Sequence, residues 1–371
     1  MKSVLIGFGV LGQYIVPCFE RLMGADMADD LVAVKATDRD LEMLQAGYPF
    51  RIQVGGTTDV LNRLAPDVIV LAVKPPQIEQ VLNEDIRPYF ERLRERGRML
   101  PDVYSFASTP RVERYADVLG SGVNAVCMIP SMQREVGGYD TAPIGVSFMA
   151  FDPAGEWPAI HRDRAKRFLE ETGCVLTLPP AQMPLYIALN CACHVMYEFC
   201  FILQDELAAR GMEAHLSQVA QTLRQALHRR FIDIVADIVP SGDCIGDARV
   251  TAAAAAMLEN WHAGIMAYAL ENGAEEAAAH RHVCGSMELF LIEAQLGTRT
   301  ILEENTRRHA TPGGFTERAV RSFARIGTAP CKACIKACMD GGDTRSVQNA
   351  LYTAAGRCAK ETAGDALSDI G

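Results

Sequence analysis

A glycine-punctuated bend close to the N-terminus constrains this chain more than any other feature. Residues 2–6 (KSVLI) read as a short β-strand, and Gly7-Phe8-Gly9-Val10-Leu11-Gly12 follows at once and opens a helical stretch over residues 10–23. The G-x-G-x-x-G spacing has physical content only in this strand–turn–helix context. Gly7 permits the tight turn, Gly9 lets a diphosphate approach the backbone, and Gly12 lets helix and strand pack closely. A helix start of this kind presents unpaired N–H groups to an anion.

The pattern repeats downstream. A second apolar run over residues 31–37 ends at Asp38-Arg39, and a third, DVIVLAVKPPQ, ends at Lys74-Pro75-Pro76. Helical spacing separates the runs. A helix is expected near residues 77–98, with strands near 103–106, 123–128, 144–150 and 174–178 and a helix over 158–172. Continuous apolar strands alternating with helices indicate a parallel sheet buried on both faces. The expected class is therefore an α/β Rossmann domain, a doubly wound parallel sheet, over residues 1–182. Asp38 stands where an acidic residue would hold ribose hydroxyls, and Arg39 where a 2′-phosphate would be neutralised. The cofactor is read as NADPH or NADH.

After about residue 182 the strand signals stop. Helices are expected over 183–210, 215–239, 252–272, 275–307, 315–325, 331–339 and 345–362, punctuated by Gly211, Gly273 and Pro312-Gly313-Gly314. Residues 183–371 are read as an all-helical substrate and dimerisation domain with a C-terminal extension. Two stretches, 197–230 and 260–305, share a helix–Gly–helix layout.

Bulk properties exclude some partners. A net charge of -10 disfavours nucleic acid. No unbroken run approaches the roughly 18 apolar residues of a membrane span. Twelve cysteines without a secretion signal read as reduced thiols, so a cytoplasmic location is expected. Cys331, Cys334 and Cys338 share one helical face, and Cys191 and Cys193 lie inside an apolar helix beside His194. Both groups read as packing, and no metal site is assigned. His280 and His282 read as solvated helix positions.

Three further stretches carry a family resemblance. Leu71–Gln77 (LAVKPPQ), Ile129–Ala142 (IPSMQREVGGYDTA) and Thr311–Ala319 (TPGGFTERA) follow the N-terminal bend in order. Together they resemble the pyrroline-5-carboxylate reductases. The resemblance implies hydride transfer from the nicotinamide to the imine carbon of a cyclic imino acid. It implies that Ala72, Val73, Lys74 and Pro75 face the cofactor, with Ser105 in the same crevice. Thr311, Gly313 and Gly314 would take the substrate carboxylate, and the Thr316 hydroxyl would orient the imine nitrogen and assist its protonation. It also implies a homodimer or larger assembly in which the Pro-Gly-Gly loop can serve a neighbour's cofactor. The chain departs from the family where Ser131 replaces an Asn, Ile129 replaces a Met, and no Ser-Gly-Ser-Gly stretch opens the helical half. Two other readings fit the same layout. A hydroxyacid-type dehydrogenase would need a helical lysine, and no Lys lies between Cys174 and Ala329. A dinucleotide-binding regulator that has lost catalysis would need none.

Overall fold

Eight short strands form one sheet in the order β3-β2-β1-β4-β5-β6-β7-β8. The strands are β1 (Ser3–Ile6), β2 (Leu31–Lys35), β3 (Arg51–Val54), β4 (Val68–Leu71), β5 (Asp102–Ser105), β6 (Ala125–Ile129), β7 (Val146–Phe151) and β8 (Cys174–Thr177). This computed structural model describes residues 1–107, 111–131, 146–231, 242–310 and 312–364, and the side chains of residues 308 and 309 lie outside the description. The described residues divide into two compact units, one ending at Met183 and the other starting at Pro184.

The first unit is built on the sheet. Val4, Leu5, Val70 and Leu71 are fully buried because helices cover both faces, which is why these runs show no polar alternation. β1 lies between β2 (Ser3↔Leu31) and β4 (Ser3↔Val68), both parallel to it. The first six strands thus have the doubly wound order 3-2-1-4-5-6, whose strand order reverses at β1. The expectation of a wholly parallel sheet fails at one edge. β7 runs antiparallel to β6 (Val126↔Phe151) and β8 follows β7. Residues 132–145, which include most of the Ile129–Ala142 stretch, lie outside the described residues.

Prolines reshape the expected helices. The single helix expected over 10–23 is broken at Ile15 into Val10–Tyr14 and Val16–Met23. Pro17 has no N–H to offer the Gln13 carbonyl, so the ladder cannot run through it. The stretch after β4 stays helical from Pro75 to Glu95 but passes through a π turn, Leu82–Ile86, just ahead of Pro88. A second π turn, Phe323–Gly327, precedes Pro330 and merges the two helices expected over 315–325 and 331–339. In both places the wider turn absorbs the missing donor.

The regular structure of the second unit is all helical among its described residues. Its long helices are Ala248–Glu271, Glu276–Leu296 and Thr344–Ala363. The expected 275–307 helix stops at Gly297, and Thr298 caps a new one, Arg299–His309, by accepting from the Ile301 N–H at 3.4 Å. Likewise Met183–Cys193 and Met196–Ala208 replace one expected helix. The two helix–Gly–helix turns are closed alike. Met212 N–H donates to the Leu207 carbonyl and Ala274 N–H to that of Ala269, each at 3.0 Å, around left-handed Gly211 and Gly273. The Pro180–Ala208 stretch is apolar and long enough on average to cross a membrane, contrary to the reading of unbroken runs, but it is mostly buried. Trp261 is fully buried between the rings of Phe199 and Phe323 and donates to the Ala192 carbonyl at 3.3 Å.

Candidate functional site

The three glycines of the N-terminal bend have different environments. Gly7 has φ +100, and its N–H donates to the Val34 carbonyl at 2.9 Å. A Cβ there would stand 2.7 Å from the Ala72 carbonyl carbon. A Cβ on Gly12 would stand 2.3 Å from the Gly7 carbonyl oxygen. Both positions are therefore required by the fold itself. Gly9 is not. Its φ of -93 suits any residue, it is exposed, and a Cβ there would meet nothing within 4 Å. Gly9 also precedes helix Val10–Tyr14, whose start has no side-chain cap and no acidic residue in its first turn. Phe8 turns its ring inward against Tyr48 and Phe50, with centroids 5.1 and 5.6 Å away, which leaves only its backbone at the bend. Val10 is exposed and Leu11 half-buried.

The neighbouring strand ends supply the other expected positions. Asp38 and Arg39 lie exposed in the turn after β2. The Lys35 ammonium donates to the Arg39 carbonyl at 2.7 Å, while the Arg39 guanidinium lies 3.5 Å from Asp40 and is 88% exposed, so it is free to reorient toward an anion. After β4, the Ala72 N–H donates to the Ile6 carbonyl at 2.8 Å and ties that strand end to β1. Val73 is half-buried, Lys74 is exposed, and Pro75 opens the next helix. Ser105 is placed differently from the expectation of a crevice-lining hydroxyl. It is 1% exposed, and its Oγ accepts from the Tyr115 hydroxyl at 2.5 Å and the Ala107 N–H at 3.3 Å. Burial holds the Tyr115 phenol well above its usual range, so this is a permanent neutral bond that pins the end of β5. Ser131 donates its N–H to Ser147 Oγ at 2.9 Å, and its carbonyl accepts from the Tyr14 hydroxyl.

The expected substrate residues belong to the second unit. Thr311 lies outside the described residues. Gly313 has φ +72, and its N–H donates to Glu317 Oε2 at 2.5 Å. Its carbonyl accepts from Arg318 at 2.9 Å. Gly314 is the N-cap of helix Phe315–Ser322. The Gly313 amide thus already holds a carboxylate, one turn away on the same chain. Sequence reasoning passed over Glu317, although an acidic residue in a helix's first turn is a recognisable cap. The Thr316 hydroxyl lies 3.6 Å from Cys191 Sγ, a thiol that burial pushes up to about 11. Cys191 is thus a neutral neighbour at neutral pH, and it reached this position without any signal in the local sequence.

Two histidine expectations are overturned. His282 is 1% exposed, 3.0 Å from the Tyr186 carbonyl, and burial pushes its pKa down to about 4. His280 points instead to His262, with ring nitrogens 2.9 Å apart. His194 is buried against the rings of Tyr197 and Phe290. Cys331 and Cys334 are buried and Cys338 is half-buried.

No family model matches the chain, and neither does the sequence of any curated protein. Several solved structures are similar in chain path. A pyrroline-5-carboxylate reductase from Coxiella burnetii is 16% identical with a TM-score of 0.43, over 97% of this chain and 98% of that one. The Plasmodium falciparum pyrroline carboxylate reductase with NADP bound is 12% identical with a TM-score of 0.40, over 95% and 98%. An NADH-preferring ketol-acid reductoisomerase from an uncultured archaean is 12% identical with a TM-score of 0.44, over 92% and 93%.

Proposed function

We propose that this chain is an NAD(P)H-dependent oxidoreductase that reduces a cyclic imine of the pyrroline-5-carboxylate type, giving proline or a related cyclic amino acid. Residues 1–182 hold the dinucleotide and residues 183–371 the substrate. The observation that carries the reading is Gly9. Gly7 and Gly12 answer steric demands within the chain, but nothing in the fold asks for glycine at the exposed position between them. A glycine that the fold does not need, beside an uncapped helix start at the strand-order reversal, fits a ligand that must touch the backbone there.

In this reading the dinucleotide, when bound, supplies a hydride. The backbone of Gly7, Phe8, Gly9, Val10, Leu11 and Gly12 carries its diphosphate. Asp38 holds ribose hydroxyls or Arg39 a 2′-phosphate. Ala72, Val73, Lys74 and Pro75 line the cofactor, and Ser105 supports them by fixing the end of β5. In the second unit Thr311, Gly313 and Gly314 receive the substrate carboxylate, and Glu317 swings off the Gly313 amide to admit it. The Thr316 hydroxyl hydrogen-bonds the imine nitrogen and assists its protonation. The assembly is a homodimer or larger, and the location is cytoplasmic.

Two variants test this. Gly9→Val places its side chain in open space, so its thermal unfolding should match wild type. Its NADPH and NADH affinities should fall by roughly 30-fold, about 2 kcal/mol, by fluorescence titration. Equal affinity in the two proteins would remove the case for a dinucleotide at this bend. Thr316→Ala should keep dinucleotide binding but lose roughly 100-fold in kcat for NAD(P)H oxidation with Δ1-pyrroline-5-carboxylate. One observation favours a second reading, a dinucleotide-binding regulator without turnover: the Gly313 amide is satisfied by Glu317. Dinucleotide binding by wild type with no turnover across cyclic imines would select that reading.

A further inference from the structure

The second unit holds a cluster that the proposed chemistry does not use. Helices Ala248–Glu271 and Glu276–Leu296 form a hairpin around Gly273. His262 projects from the first. His280 and Cys284, one turn apart on a single face, project from the second. His262 Nε2 and His280 Nδ1 are 2.9 Å apart, and the ligand atoms of all three residues lie within 4.8 Å of one another. His262 is 7% exposed, Cys284 is fully buried and His280 is half-buried. The Phe231 ring packs over both imidazoles, with centroids 4.4 and 5.4 Å away. A cavity of about 680 Å³ opens beside them, and both histidines line it.

We propose that His262, His280 and Cys284 bind a zinc ion whose fourth coordination position faces this cavity. Tetrahedral zinc with bonds of about 2.0–2.3 Å sets its ligand atoms roughly 3.3–3.8 Å apart. The imidazole pair must therefore open by about half an ångström and the thiol close by up to about 1.3 Å from the 4.8 Å that bounds the three ligand atoms, which side-chain rotation provides. Two imidazoles and a thiolate suit zinc and reject magnesium and calcium, which need oxygen ligands. Burial holds both imidazoles below the usual histidine range, with the His280 ring and Arg230 adding to the effect at His262 and Glu276 opposing it at His280, and a neutral imidazole can offer a lone pair. Binding breaks the His280–His262 hydrogen bond and releases the Cys284 proton to solvent, one proton per zinc ion. The aromatic wall of Phe231 supplies the dry surround that such sites use.

The cavity also offers a fourth ligand. Glu276 lines it one turn before His280 on the same helix. The other acidic lining residues are engaged: Glu259 lies 3.6 Å from Arg230, and Glu275 accepts from the Ala277 and Ala278 N–H groups at 3.0 and 2.7 Å. Either Glu276 or a water molecule completes the tetrahedron. A closed set with Glu276 is a structural clip between the two helices, and an open set with water is a Lewis-acid centre facing a cavity.

The test uses the full chain, stripped with a chelator and titrated with Zn²⁺ against a chromophoric competitor. Wild type should bind one equivalent. Cys284→Ser and His280→Gln should each weaken binding by roughly 100-fold or more, since losing even a supporting partner costs up to that much. Replacing zinc with Co²⁺ should give a near-ultraviolet thiolate-to-metal band that Cys284→Ser abolishes. Cys334→Ser, on a different helix, should bind as wild type. Should Cys284→Ser fail to fold, the half-exposed His280→Gln carries the comparison alone. Failure of wild type to bind an equivalent, or undiminished binding in His280→Gln, would overturn the site. The result is independent of the dinucleotide, because binding is read without NAD(P)H or substrate.

Discussion

Glu288→Ala is expected to destabilise the helical unit by about 3–5 kcal/mol, the usual consequence of stripping a buried charge of its partner. Glu288 and Arg224 are 0% and 1% exposed. Glu288 Oε1 accepts from Arg224 Nε at 2.9 Å and from Nη2 at 2.6 Å, and His228 Nε2 lies 3.0 Å from the same oxygen. Arg224 also donates to Gln295. The network joins helix Leu216–Arg230 to helix Glu276–Leu296. Alanine would leave a guanidinium in the core with only neutral amide oxygens, Gln295 and Gln221, for company. Urea unfolding followed by far-ultraviolet circular dichroism would show the drop. The double variant Arg224→Met/Glu288→Leu should recover most of it, because two apolar side chains of similar volume need no counterion. A loss under about 1 kcal/mol in Glu288→Ala would mean that water reaches the pair and the burial is not maintained.

That pair marks the boundary of what was legible in the chain. Arg224 and Glu288 are 64 residues apart, and each alone reads as an ordinary polar position on a helix. Hydropathy periodicity says which face is buried, but it does not say which charge finds its opposite there. The same holds for His262, His280 and Cys284, where the His280-to-Cys284 step is local but His262 arrives from another helix. His282 reads as a solvated helix position, yet the helix turns it toward Tyr186. The N-terminal bend was legible for the opposite reason. Its strand, its three glycines and its helix are contiguous, so local sterics determine it. The break at Ile15 is equally local and is readable from Pro17, although residues 10–23 are expected above as one helical stretch. The reversed β7 and β8 edge had no local sign, since an apolar strand reads alike in either direction. At the candidate site the same rule applies. Gly313 and Thr316 are named from their motif, whereas the Cys191 thiol that touches Thr316 comes from 125 residues away.

Gly12→Val should destabilise the sheet unit by about 3 kcal/mol, the upper end of the usual range for overpacking, and should abolish dinucleotide binding as well. The new Cβ would fall 2.3 Å from the Gly7 carbonyl oxygen, so one side must move. Gly7 cannot. Its N–H is held by Val34 at 2.9 Å, and the space a Cβ would need beside it is taken by the backbone of Ala72, whose N–H is held by Ile6 at 2.8 Å. The remaining option is for helix Val10–Tyr14 to lift from the end of β1, which would uncover Tyr14 and detach its hydroxyl from the Ser131 carbonyl. Near-ultraviolet circular dichroism and a thermal melt would register the lifted helix, and NAD(P)H titration the lost site. Set beside Gly9→Val, the result separates two reasons for glycine in one motif. If valine at 12 costs stability and valine at 9 costs only affinity, the fold accounts for the first glycine and a ligand for the second. If valine at 12 left the melt unchanged, the close contact between helix and strand would not hold this bend in shape, and Gly9 would lose the fixed frame from which its ligand role is argued.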